Sequence, residues 1–316
     1  MRITIAGGTG FIGTVLTREL IQEGHQVVIL TRSDPQRLQN RDAGGNPSFV
    51  QWDGENQGDW VSEIGRSHAV INLAGENIGG KSLAELITRR WTPERKQTLR
   101  RSRITSTKAL VEAVKNSPTK PHTYIQASAV GYYGSHPERE MDENAPAGSD
   151  FLADLCVEWE NASAELDRLG VRRVIVRIAG IVMSLEGGSL PFILLPYRFF
   201  LGGPLGNGKQ WVSWIHIHDL VRAIKFLLEH PSAQGVFNLC APEAVTNSQF
   251  SQILGRVLRK PSFFPTPTFL FRILFGEKAD LLLASQKQIP KRLLDLGFEY
   301  HYPTVESALR NLLTAS

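Results

Sequence analysis

The chain has 316 residues, 42% of them hydrophobic and 21% charged, ordinary globular usage that excludes a disordered or fibrous chain. At about 150 residues per domain, the length predicts two domains, or one large α/β domain with an added lobe. The net charge of +4 balances 35 basic against 31 acidic residues and contains no basic run of the nucleic-acid-binding kind, so no nucleic-acid partner is expected.

Arg2–Ala6 reads as a short apolar strand, and Phe11–Glu23 as a helix with Ile12, Val15, Leu16 and Leu20 on one face. Gly24 stops that helix. Gln26–Thr31 is a continuous apolar run, as in a strand covered on both faces, and Ser48–Gln51 and Ala69–Leu73 follow as strands. Arg95–Val114 is a long basic helix, Thr123–Ala127 a strand, Phe151–Leu169 a helix and Arg173–Ile178 a strand. This alternation predicts an α/β fold, a Rossmann-type doubly wound parallel sheet over residues 1–180.

Beyond it, 186–208 is rich in Gly, Pro and aromatics. Asp219–Leu228 and Ser248–Leu258 read as helices, and Val236–Leu239 as a strand. A segment around 211–240 is expected to return to the sheet. Residues 181–316 are expected to form a smaller C-terminal substrate lobe, with a further unit from about 261, after a proline-rich loop Pro261–Pro267. The run Phe269–Phe275 is either core of that lobe or an exposed apolar patch.

Cys156 and Cys240 are the only cysteines and make neither a disulfide framework nor a zinc site, so no metal is expected. The stretch Ser189–Leu205 is broken by Pro191, Pro196, Arg198 and Pro204, too interrupted for a membrane span. No secretory signal is visible, and a reducing, cytoplasmic location is expected.

Gly7, Gly10 and Gly13 follow a strand and open a helix, with Thr9, Phe11 and Ile12 between them. In that context glycines permit the tight turn, the approach to a pyrophosphate and the packing of helix on strand. The second strand ends in Thr31 and Arg32, where an NAD-preferring site usually has a carboxylate. Arg32 can pair with a 2′-phosphate, so NADP(H) is expected over NAD(H). Asp53 either accepts from the adenine amino group or forms a turn with Gly54. Leu73, Ala74 and Gly75 end the fourth strand and would lie beside the cofactor, as would Ala127.

These residues together resemble the extended short-chain dehydrogenase/reductase superfamily, specifically its atypical epimerase-family branch, sometimes labelled cell-division inhibitor. The resemblance covers nearly the whole chain: GGTGFIG (Gly7–Gly13), VINLAGENI (Val70–Ile78), RWTPERK (Arg90–Lys96), ASAVGYYG (Ala127–Gly134) and DFLADLCVEWE (Asp150–Glu160). GGPLGNGKQWVSWIHIHDL (Gly202–Leu220) and the tail from Pro261 extend it. It implies an NADP(H)-binding oxidoreductase or epimerase lacking the superfamily's Tyr-x-x-x-Lys pair, since Phe151 and Leu155 stand at those positions. Ser128 occupies the catalytic Ser position, and Arg103 aligns with a helper Asn.

Tyr132 and Tyr133 could replace the missing acid or pack against substrate, and Arg103 or Lys209 could supply the positive charge. His216 and His218 either take part or make structural hydrogen bonds. Arg177 is expected at the cofactor, and with Glu76, Asn77, Lys209, Gln210 and Trp211 as a candidate contact for a small polar substrate, Arg177 and Lys209 suiting an anionic or sugar-phosphate one. The competing reading is a catalytically weak or inactive NADP(H)-binding, redox-sensing partner protein, which the resemblance links to cell or plastid division. The polar outer faces of the two long helices point to a monomer or weak homodimer.

Overall fold

The computed structural model describes residues 1–39, 46–80 and 83–314. Seven parallel strands make the central sheet. Strand β1 (Arg2–Ala6) has β2 (Gln26–Thr31) and β3 (Ser48–Gln51) on one side. On its other side come β4 (Ala69–Asn72), β5 (Thr123–Ala129), β6 (Arg172–Ile178) and β7 (Gly235–Leu239), in that order. The winding reverses between β1 and β4, and open α/β sheets bind ligands beyond the strand ends at such a point.

Side chains alternate across the strands, so each face of the sheet gathers its own core. Ile3, Ile5, Ile29 and Ile71 pack on one face with Leu16 and Leu20 of helix Phe11–Gln22 and with Leu220, Ile224 and Leu227 of helix Ile217–Glu229. Leu30, Val70 and Tyr124 point the other way, onto Leu110 and Val114 of helix Pro93–Asn116 and onto Trp60. Thr92 caps that long helix by accepting from the Arg95 N–H, and Pro93 stands in its first turn, where its missing donor is not needed. A third core joins Met183, Leu190 and Trp214 to Phe250, Leu254, Val305 and Leu309. It ties the C-terminal helix Val305–Thr314 to helices Leu190–Arg198 and Asn247–Leu258.

Three features depart from the sequence reading. The helix expected to run to Leu169 ends at Asn161, and a 3-10 turn covers Ala164–Leu169. The Glu160 carbonyl there accepts from Ser163 Oγ and from Arg173 Nη1, which draws it out of the helical ladder. A strand His136–Met141 pairs in parallel with Gln286–Gln288, a contact between distant parts of the chain that no local pattern announces. Phe269–Phe275 lies in helix Thr268–Phe275 and is neither wholly core nor wholly patch: Phe275 is buried, Phe269, Leu270 and Ile273 are exposed. Among the described residues no helix is long and apolar enough to cross a membrane.

Candidate functional site

One open cavity of about 2320 Å³ runs from the turn after β1 across the ends of β4, β5 and β6 to helices Leu190–Arg198 and Thr268–Phe275. Single small-ligand pockets usually hold about 300–1,000 Å³, so there is room for a dinucleotide and a second molecule. The turn is shaped by close backbone approach. A Cβ on Gly7 would sit 2.7 Å from the Leu73 carbonyl carbon, and one on Gly13 only 2.3 Å from the Gly7 carbonyl oxygen. Gly7 also has a φ of +82°, which a side chain would strain. No side chain among the described residues caps helix Phe11–Gln22. Its first N–H groups, with the positive end of the helix dipole, are thus available to an anion in the cavity.

At the β2 end, Thr31 is buried, its hydroxyl accepting from the Ser33 N–H. Arg32 projects into the open, 3.3 Å from Glu76 Oε1. Asp53 lines the cavity, but its carboxylate is committed to its own turn: Oδ1 accepts from the N–H groups of Glu55 and Asn56, and Oδ2 from the Asn56 amide. The Asn56 side chain and those N–H groups hold its pKa below the usual carboxylate value. The buried Trp52 beside it, tilted against Trp60, is a wall residue not anticipated from the sequence.

Arg103 is buried on the long helix and pins the loop after β4. Its Nη2 donates to the Glu76 carbonyl at 3.0 Å and its Nη1 to Leu99 O at 3.2 Å, with the guanidinium over the Trp159 ring. Burial pushes its pKa down to about 10, and among the described residues no carboxylate forms an ion pair with it. Glu76 instead faces Arg32 and Arg95, while the Asn77 carboxamide oxygen holds its own turn by accepting from Gly79 and Gly80.

At the end of β5 the Ser128 hydroxyl donates to Glu160 Oε1 at 2.6 Å. Glu160 in turn takes both Arg177 Nε (2.8 Å) and Nη2 (2.9 Å). Arg177 continues the chain, donating from Nη1 to the Tyr133 hydroxyl, which donates to Asn238 Oδ1 at 2.7 Å. Burial disfavours the Arg177 charge, but Glu160 outweighs it and raises the pKa. Burial likewise pushes Tyr133 up to about 12. Glu160 was missed from the sequence. The available signal was its spacing: Ala153, Cys156 and Glu160 form one inward stripe of helix Phe151–Asn161, and a carboxylate there needs a buried partner.

Most of the anticipated residues meet at this one cavity: Gly7, Thr9, Gly10, Phe11, Ile12, Gly13, Thr31, Arg32, Asp53, Leu73, Ala74, Gly75, Glu76, Asn77, Arg103, Ala127, Ser128 and Trp211. Others do not. Arg177 is held by Glu160 and Tyr133, with its guanidinium over the Tyr132 ring, and lies off the cavity lining. Tyr133 is buried in the same network and cannot present its hydroxyl to a substrate. Tyr132 stacks on Arg177 and stands behind the wall rather than on it. Lys209 is exposed and Gln210 donates to the Leu205 carbonyl, neither on the cavity lining. His216 caps helix Ile217–Glu229 by accepting from the His218 N–H, and burial pulls its pKa down to about 4. Phe151 and Leu155 both line the cavity, Phe151 beside Trp91 and Lys96.

Residues 3–240 match the NAD dependent epimerase/dehydratase family. The chain belongs to that family. Residues 266–312 match a second domain, one of unknown function (DUF1731). Within the family, the chain is 39% identical over 315 residues to the epimerase family protein SDR39U1 homolog, chloroplastic, of Arabidopsis thaliana, covering 99% of this chain and 87% of that one. It is 37% identical over 320 residues to mouse epimerase family protein SDR39U1, covering 99% of this chain and 100% of that one. The crystal structure of human epimerase family protein SDR39U1 (isoform 2) with NADPH is similar at a TM-score of 0.87 and 34% identity, over the whole of both chains.

Proposed function

We propose that the chain binds NADP(H) at the glycine-turn end of the cavity and acts as an oxidoreductase or epimerase on a small molecule held near Ser128. The observation that carries the reading is the cradle: a turn in which Gly7 and Gly13 leave no room for a Cβ, opening a helix whose first N–H groups no side chain caps. Arg32, with no carboxylate of its own strand beside it, favours the 2′-phosphate form. The NADPH in the human relative's structure supports the same choice.

A bound nicotinamide supplies hydride chemistry; the protein contributes orientation and electrostatics. Ser128 is the polar side chain at the end of β5 that both lines the cavity and is fixed from behind, by Glu160. With its proton directed to Glu160, the Oγ lone pairs can accept from a substrate hydroxyl. In the reductive direction a bound nicotinamide would supply the hydride, and solvent in the open cavity would supply the proton to the substrate oxygen. Arg103 supplies the buried positive charge that the family's missing lysine would have brought. Residues 1–180, with the returning 211–240 segment, then serve as the nucleotide domain and the remainder as the substrate lobe.

Gain of NADPH absorbance from NADP+ across a panel of alcohols tests this, the direction in which Ser128 Oγ accepts from the substrate. Turnover is expected, with Ser128→Ala slowing it by about 100-fold while NADPH affinity stays unchanged. Tight NADPH binding with no turnover on any member would favour the second reading, a binding protein. The observation behind that reading is the pair Phe151 and Leu155, which offer no proton-transferring group at the cavity wall.

A further inference from the structure

Away from the glycine turn, the cavity changes character. Its walls there are Ile193, Pro196, Leu201, Phe250, Leu270 and Phe271, from helix Leu190–Arg198, the loop after it, helix Asn247–Leu258 and helix Thr268–Phe275. Most polar side chains beside them are engaged inside the protein; among the described residues, Thr266 and the buried Ser189 hydroxyl are the neutral exceptions on the lining. Asn247 Oδ1 accepts from the Leu205 N–H at 2.7 Å, and Ser251 Oγ meets the Tyr197 hydroxyl at 2.5 Å. Ser213 Oγ donates to Gln288 Oε1 at 2.5 Å, and the Gln286 amide donates to the carbonyls of Val130 and Gly134.

The charged side chains are engaged as well. Glu277 pairs with Lys96 at 2.6 Å, Arg272 lies 3.9 Å from Asp280, and the buried Lys278 donates to the Glu85 carbonyl. The two cations that would have suited a phosphate, Arg177 and Lys209, are off the cavity. A diphosphate or sugar phosphate placed at this end would have to draw Lys96, Arg272 and Lys278 away from the partners they already hold, which is costly. Leu201 and Leu270 are both wall and surface, so the apolar wall continues outward to solvent.

We infer that the far end of the cavity takes an uncharged molecule with an extended apolar body, a long-chain carbonyl compound or alcohol, rather than the polar or phosphorylated substrate expected from the sequence. The inference rests on the reading that NADP(H) fills the other end. It is tested on the full chain saturated with NADPH, by titrating a ladder of 2-alkanones from butanone to dodecanone and, separately, UDP-glucose. Intrinsic fluorescence reads the binding, since Trp91 and Trp211 both line the cavity.

Each added methylene is expected to tighten binding about fourfold until the end is filled. UDP-glucose is expected to give no change. Leu270→Glu, at a position exposed enough for the chain to fold, should weaken decanone at least tenfold and leave the NADPH titration unchanged. A flat alkanone ladder, or saturable UDP-glucose binding, in protein shown to hold NADPH would overturn the inference and leave the cofactor reading standing. A steep ladder in protein that fails to bind NADPH would do the reverse.

Discussion

The two ends of the β1–β5 crevice treat their polar groups in opposite ways. At the glycine turn, the N–H groups of a helix start are left uncapped by side chains and Arg32 reaches into the open. Behind Ser128, Glu160, Arg177, Tyr133 and Asn238 join in a buried hydrogen-bonded network. The first end is built to meet a ligand, and the second is built to hold itself rigid. The glycine-turn end thus keeps its donors open, while a buried polar network stands behind Ser128 at the other.

That contrast is broken most forcefully at Glu160. Glu160→Gln leaves the buried Arg177 charge with neutral partners only, and removing one member of a buried ion pair costs about 3–5 kcal/mol. The denaturation midpoint should fall accordingly, while NADPH affinity changes little; a loss of affinity with unchanged stability would mean the network belongs to the ligand after all. Replacing both partners, as Glu160→Met with Arg177→Met, should restore most of the lost stability.

Acid probes burial outside the cavity. Burial disfavours the charged form of His216 and pulls its pKa from the ordinary 6.5 down to about 4. Between those values the unfolded chain binds a proton that the folded chain refuses. Its contribution is therefore complete above about pH 6.5, is lost as pH falls toward about 4, and amounts to about 3 kcal/mol. In His216→Asn, which keeps a capping side chain, that part of the pH dependence should vanish from equilibrium unfolding curves.

At the open end, Gly13→Ala sharpens the contrast. The new methyl would lie 2.3 Å from the Gly7 carbonyl oxygen and must push helix from strand. Overpacking of this kind costs about 2 kcal/mol, here expected as a roughly thirtyfold weaker NADPH affinity by equilibrium titration. Unaltered affinity would show that the turn does not set the nucleotide's seat.

The open end was the legible one, because its determinants are local. Gly7, Gly10 and Gly13 sit within seven residues, bracketed by a strand and a helix whose periodicities are plain. Apolar runs such as Gln26–Thr31 announce a doubly covered sheet, and Gly24, at a φ of +80°, ends its helix as expected. The closed end was not legible because its partners are distant. Tyr133 meets Asn238, and Met141 and Ile289 converge on the Asn238 amide. Arg177 looked available because its partner Glu160 lies on another element, 17 residues away. Asp53 shows the limit at short range, where the same residue served the adenine and turn readings equally until its carboxylate was seen accepting from Glu55 and Asn56.

The most direct test of the open end is calorimetric titration of the nucleotide-free chain and of Arg32→Ala with NADPH and with NADH. NADPH should bind the unaltered chain more tightly than NADH, and Arg32→Ala should weaken NADPH by about tenfold, the worth of one charge-assisted contact, without touching NADH. Equal affinity for the two nucleotides in both proteins, or binding of neither, would contradict the account.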